Sequence, residues 1–137
     1  MAILTEEVIT EADFCGLANR WRVDPRTMEL VWLTAKQFEF QTGRDVWIIS
    51  GFRTQTEQRA LERAGRPTAP DRLSTHRSCP ATGVDIWLGV LPSNLHKAIW
   101  GQLAFFNGLR WGGGGPIDPE TGIPEDWAHV DRGPRVS

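Results

Sequence analysis

An α+β fold, with a small and mainly antiparallel sheet packed with helices, is what this chain predicts. Three observations point there. Two segments carry apolar residues at helical spacing between capping residues, several short runs are apolar or strictly alternating, and the two kinds of signal follow one another irregularly along the sequence. At 137 residues, 40% hydrophobic and 23% charged, the chain has the material for one core and is too apolar for disorder, so residues 1–137 are read as a single domain.

Taken in order, Thr10 with Glu11 and Asp13 behind it is placed to cap a first helix running to about Arg20, its acidic residues favourable at the positive helix end. Asp24 is an N-cap, Pro25 suits the first helical position, and Met28, Val31, Ala35 and Phe38 recur at helical spacing until Gly43 supplies a stop. This is the expected central core helix. Val46 to Ser50 is short, apolar and β-branched, a buried strand delivering Gly51, Phe52 and Arg53 at its end. A short helix over Thr56 to Ala64 and a proline-containing loop over Gly65 to Thr75 follow.

Gly83 to Leu88 alternates, with Val84, Ile86 and Leu88 on one face and Asp85 and Trp87 on the other, so Asp85 is expected to point into a cleft. Ser93 caps a helix to about Asn107, with Leu95, Ile99, Leu103 and Phe106 as its apolar stripe and His96 beside that stripe in a structural or exposed role. Leu109 to Trp111 is a short strand, Gly112 to Gly115 a flexible connector, and Trp127 to Asp131 a final alternating strand. The glycine run lacks the Lys and Ser/Thr of a phosphate loop.

Charge and cysteine content exclude several functions. A net charge of −2 gives no global attraction to nucleic acid or an anionic membrane, and the locally basic stretch from Arg53 to Arg77 reads as a solvated or substrate-facing rim. No run approaches the roughly 20 apolar residues of a membrane helix, and the first residues lack the pattern of a signal peptide. Synthesis in the cytoplasm without membrane insertion is therefore expected. Cys15 and Cys79 are too few for a disulfide framework and are read as free thiols. Cys79 lies in the candidate metal loop, but a thiolate there would close the open position a catalytic metal needs.

The chemistry concentrates in two segments, Ser74-Thr75-His76 followed by Gly83-Val84-Asp85, and Asp126-Trp127-Ala128-His129-Val130-Asp131. Catalytic zinc commonly takes three nitrogen or oxygen ligands and keeps a fourth position for water, so two histidines and one carboxylate suffice. The chain has only three histidines, His76, His96 and His129, and two of them stand beside short carboxylate motifs. Each histidine taken alone also fits a satisfied polar residue near the surface. A general base must reach the activated water without binding the metal. Asp126, at the entry of the last strand, suits that task, with Glu125 as the neighbouring alternative. Seven tryptophans and no tyrosine serve mainly core packing, while Trp87 and Trp127 are placed to line the cleft and contact substrate.

Together these residues resemble the zinc peptidases of bacterial cell-wall peptides, the D-alanyl-D-alanine carboxypeptidases and L-alanyl-D-glutamate endopeptidases that include phage endolysins. The resemblance spans roughly Val46 to Asp131 and rests on four blocks in order: Ser50-Gly51-Phe52-Arg53, Ser74-Thr75-His76 with Asp85, Leu109-Arg110-Trp111-Gly112-Gly113, and Asp126-Trp127-Ala128-His129-Val130-Asp131. It implies a zinc cleft on the sheet of a hedgehog/D,D-peptidase-like fold, with His76, Asp85 and His129 as zinc ligands and Asp126 as general base. It also implies that Arg53 stabilises the developing oxyanion and that Ser74 contacts substrate. One departure is clear. In the family pattern Ser-x-His-x-x-Gly-x-Ala-x-Asp the Asp follows the His by seven positions, and here it follows by nine, so two extra residues lie in the loop Arg77 to Thr82 at the border of the cleft.

The activity this implies is zinc-assisted hydrolysis of an amide bond in a peptidoglycan stem peptide, by a monomer unless it is part of a virion. Access to the wall then comes through a membrane pore or by virion delivery, and a bacterial enzyme acting on recycled muropeptides in the cytoplasm is the other setting. A non-catalytic structural or cell-wall-binding module that keeps the fold is the alternative from another class. The intact acid at Asp126 speaks against it.

Overall fold

The computed structural model describes residues 7–9, 14–52, 60, 63–65, 81–89 and 91–133. Arg53, Ser74, His76 and Cys79 lie outside these residues, as do the start of the first expected helix, nearly all of the segment expected to be helical after Arg53, and most of the loop that follows it.

The fold is α+β. Strands β1 (Glu7–Val8), β2 (Trp47–Ser50), β3 (Gly83–Trp87), β4 (Arg110–Trp111) and β5 (His129–Asp131) form one sheet in the order β1-β2-β3-β5-β4. Every pairing in it is antiparallel. Helices α1 (Phe14–Trp21), α2 (Pro25–Thr42) and α3 (Asn94–Phe106) supply the other half of the core. No helix among the described residues is long and apolar enough to cross a membrane.

Local chemistry explains where the helices begin and end. Asp24 accepts from the Thr27 amide at 3.0 Å, Pro25 opens α2, and Gly43 ends it at φ +71°, its amide donating to the Glu39 carbonyl at 2.7 Å. Helix α1 stops differently: Arg22 adopts φ +53°, and the Val23 amide turns back to the Ala18 carbonyl at 3.0 Å, a closure usually built on glycine. In α3 the Ser93 hydroxyl accepts from the His96 amide at 3.1 Å, while His96 Nδ1 accepts from the Ser93 amide at 3.3 Å. His96 is thus a structural capping residue.

The core lies between the helices and one face of the sheet. Ile48, Val84, Ile86 and Val130 are buried in one cluster with Met28, Val31, Ala35 and Phe38 of α2 and with Trp100 and Ala104 of α3. Phe38 meets Trp100 edge to face at 6.1 Å between centroids, a geometry worth about 0.5–1.5 kcal/mol beyond area burial. Asn107 at the end of α3 donates to Thr34 Oγ1 and Gln37 Oε1 of α2 at 2.9 and 2.8 Å, fixing the two helices against each other.

Three expectations need correction. The apolar stripe of α3 is rotated: Leu95 and Phe106 are 69% and 76% exposed, and the buried residues are Trp100, Gly101 and Ala104. Small residues set that rotation, because a Cβ on Gly101 would come within 2.3 Å of the Trp111 ring. Gly112 to Gly114 is a 3-10 turn rather than a loose connector, and Gly112 is buried against Pro124. The last strand is also shorter, since residues 125–128 form a turn before His129. Strand β1, which carries no strong sequence signal, pairs Glu7 with Ile48 and Val8 with Trp47.

Candidate metal centre

Sheet register brings the two carboxylates and the histidine together. Asp85 of β3 is the cross-strand partner of His129 of β5, and Gly83 is the partner of Asp131. Since alternate residues share a face, Asp85, His129 and Asp131 all lie opposite the apolar residues Val84, Ile86 and Val130. Ser50 is the partner of Asp85 on the other side, where an irregularity between Ile48 and Ser50 bends the end of β2. The alternation expected over Gly83 to Leu88 therefore holds in placing Asp85 on the face away from Val84 and Ile86.

His129 is held at both ring nitrogens. Nε2 lies 2.6 Å from Asp131 Oδ2 and Nδ1 lies 3.0 Å from Asp85 Oδ1. Asp131 is fully buried and is itself fixed: Arg110 donates from Nε to Oδ1 at 2.9 Å and from Nη2 to Oδ2 at 3.0 Å, and the Gly133 amide donates to Oδ1 at 2.8 Å. Burial opposes ionisation of Asp131, but hydrogen bonds from His129 and Arg110 outweigh it and hold its carboxyl down at about 2. Burial likewise opposes protonation of His129, yet the two flanking carboxylates, Asp131 foremost, push its pKa up to about 10.

That electrostatic arrangement suits a cation at the Asp85 side of the ring. Protonated, His129 donates from Nε2 to Asp131 and from Nδ1 to Asp85; with the Nδ1 proton removed, the bond to Asp131 holds the proton on Nε2 and two electron-pair donors, Nδ1 and the Asp85 oxygen, face each other across 3.0 Å. Either a proton or a metal ion satisfies them, and a carboxylate behind a ligating histidine is the usual second support of a zinc site. Among the described residues no group of three His, Cys, Asp or Glu converges on one point. His76 lies outside them, so the pair Asp85 and His129 is the described part of the expected ligand set.

The approach to His129 is built by the turn before it. The His129 amide donates to the Asp126 carbonyl at 3.0 Å, the Ile86 amide to the Ala128 carbonyl at 2.9 Å, and Trp111 Nε1 to the Trp127 carbonyl at 2.8 Å. Asp126 is thereby fixed in backbone position, with a partly buried side chain, while Glu125 is exposed. Gly113, at φ +63°, passes so close that a Cβ there would lie 3.0 Å from His129 Cδ2. Trp87, at the end of β3, and Trp127, in the turn before β5, pack together with centroids 4.9 Å apart, each two residues from Asp85 or His129.

Of the expected site residues, the structure brings Asp85, His129, Trp87, Trp127 and the backbone of Asp126 into one region. Arg53, Ser74 and His76 lie outside the described residues. Sequence reasoning missed the roles of Asp131 and Arg110. Asp131 carried a usable signal, since a carboxylate two residues from a strand histidine shares its face. Arg110 carried none, because its partnership with Asp131 depends on β4 pairing with β5. No protein-family model matches the chain, and no curated protein matches it.

Proposed function

We propose that this protein is a zinc metallopeptidase that hydrolyses amide bonds in peptidoglycan stem peptides, either at L-Ala-D-Glu or at D-Ala-D-Ala. The observation that supports this reading most is His129, locked by Asp131 and Arg110 so that Nδ1 faces Asp85 Oδ1 at 3.0 Å on the sheet face opposite the core. The motif resemblance adds His76 as the third ligand. Lysis after release through a pore, or wall opening by a virion component, is the setting that resemblance suggests.

In this reading His76, Asp85 and His129 hold the metal. Zinc supplies a Lewis acid for the scissile carbonyl and lowers the pKa of water to roughly 7. Asp126 accepts a proton from the attacking water and returns it to the leaving amine, a role supported by its place three residues before His129 in the turn that leads into β5. Arg53 meets the negative charge that develops on the carbonyl oxygen. Asp131 and Arg110 keep His129 in the ligating tautomer throughout. Trp87 and Trp127, with rings inclined at 45°, form an aromatic wall beside the reacting bond.

The test is mass spectrometry of peptidoglycan digested with zinc-loaded protein, beside chelated protein and Asp126→Asn. New peptide ends that vanish in both controls support the reading and identify the bond. Intact wall peptides from several chemotypes, with zinc content shown to be stoichiometric, would overturn it in favour of a structural or wall-binding module.

A further inference from the structure

Lys97 stands one turn into α3 with its ammonium nitrogen 4.8 Å from the ring centroid of Trp127. Trp127 in turn packs against Trp87, which is 41% exposed. Trp87 lies two residues from Asp85 on β3, about 7 Å along the strand, and Trp127 lies two residues before His129 in the turn that leads into β5. Lys97 thus brings a positive charge to the wall on its Trp127 side.

That charge has no acidic neighbour in sequence. From Ile86 to Ile117 the chain contains no Asp or Glu, and among the described residues Lys97 makes no ion pair. The other cation of this stretch, Arg110, is already engaged by Asp131. A lysine resting on an indole face uses the ring on one side only and keeps N–H donors free for an anion. The apolar wall lowers the local dielectric and strengthens such a contact.

We propose that Lys97, on the Trp87 and Trp127 wall, is a specificity residue that binds a free carboxylate of the substrate. The assignment of the bond cut rests on the peptidase reading above. The carboxylate site itself does not require cleavage.

The experiment is an NMR titration of the full chain, with ¹⁵N-labelled indoles assigned by Trp87→Phe and Trp127→Phe, using N-acetyl-D-alanine and N-acetyl-D-alaninamide as probes. It is run with zinc and after chelation. The expected result is saturable shifts of the Trp87 and Trp127 signals in both states, with the acid binding about five-fold more tightly than the amide. Lys97→Met should bind both probes alike, and Lys97→Arg should restore the preference. Equal binding of acid and amide to the native protein overturns the proposal. So does a preference that survives in Lys97→Met, which would place the carboxylate on another group or on zinc. A preference that depends on Lys97 in a protein that cleaves no wall peptide would keep the carboxylate site and sink the peptidase reading alone.

Discussion

Arg110 grips Asp131 through two parallel hydrogen bonds, Nε to Oδ1 at 2.9 Å and Nη2 to Oδ2 at 3.0 Å, and so completes a chain of contacts from the sheet edge to the ring of His129. The two residues are cross-strand partners of β4 and β5, so the fork is built by strand pairing rather than by a loop. Its consequence is that a fully buried carboxylate stays ionised and can hold the imidazole in one orientation.

Replacing Arg110 by Met should therefore strand that carboxylate. Removing one partner of a buried pair costs about 3–5 kcal/mol, but the Arg110 side chain is 41% exposed, and solvent should reduce the loss to roughly 1–3 kcal/mol. Urea denaturation measures it through the shift in midpoint. The same variant should bind zinc about 10–100-fold more weakly, as loss of an outer support usually does. Unchanged zinc affinity would mean that Asp131 orients His129 without Arg110.

Gly113 gives a second, sterically based prediction. Ala at this position must adopt φ +63°, and its methyl carbon must sit 3.0 Å from His129 Cδ2, so backbone strain and ring displacement act together. Gly113→Ala should lower stability by about 1–3 kcal/mol and weaken zinc binding as well. Ala at Gly122, which also has positive φ but no atom within 4 Å, is the control: it should lower stability to a smaller extent and leave zinc affinity unchanged.

The contrast between these residues and the ones legible in the sequence has a physical basis. Helix α2 could be read end to end because Asp24, Pro25 and Gly43 act locally, each through its own backbone geometry. Asp85 could be placed on a face because alternation along one strand needs no knowledge of the partner strand. Arg110 and Gly113 could not, since their contacts with Asp131 and His129 exist only once β4 and the 3-10 turn fold beside β5. The stripe of α3 failed for a related reason. Hydrophobicity favoured Leu95 and Phe106, whereas the packed face was chosen by the shape fit of Gly101 to Trp111.

The Asp24 carboxylate links helix capping to acid stability. Partial burial works against its ionisation, but the Thr27 amide and hydroxyl and the Arg132 guanidinium, 2.9 Å away, prevail and lower its pKa below the usual carboxylate range. A lowered folded-state pKa means the stabilisation is complete above the unfolded Asp value of about 3.9 and fades as pH falls through the folded value. Asp24→Ala should cost about 1 kcal/mol at pH 7. In urea midpoints, the gap between native protein and variant should narrow steadily below pH 4. A gap that is constant down to pH 2 would show that the carboxylate charge contributes nothing.

Asp126 and Glu125 are adjacent acids with opposite surroundings, and that difference separates their expected roles. Asp126 has its backbone carbonyl bonded to the His129 amide and its side chain partly buried, whereas Glu125 projects to solvent with its amide held by the Pro116 carbonyl at 3.0 Å. General acid–base groups contribute typically 10²–10⁴-fold. Asp126→Asn should keep zinc at native stoichiometry while slowing peptide hydrolysis by roughly 10²–10⁴-fold, and Glu125→Gln should change the rate by less than about three-fold. The comparison is decisive when both variants are assayed for metal content and for turnover on the same peptide. Loss of zinc from Asp126→Asn would make this residue a ligand or a structural support, and a large rate loss confined to Glu125→Gln would transfer the role of base to Glu125.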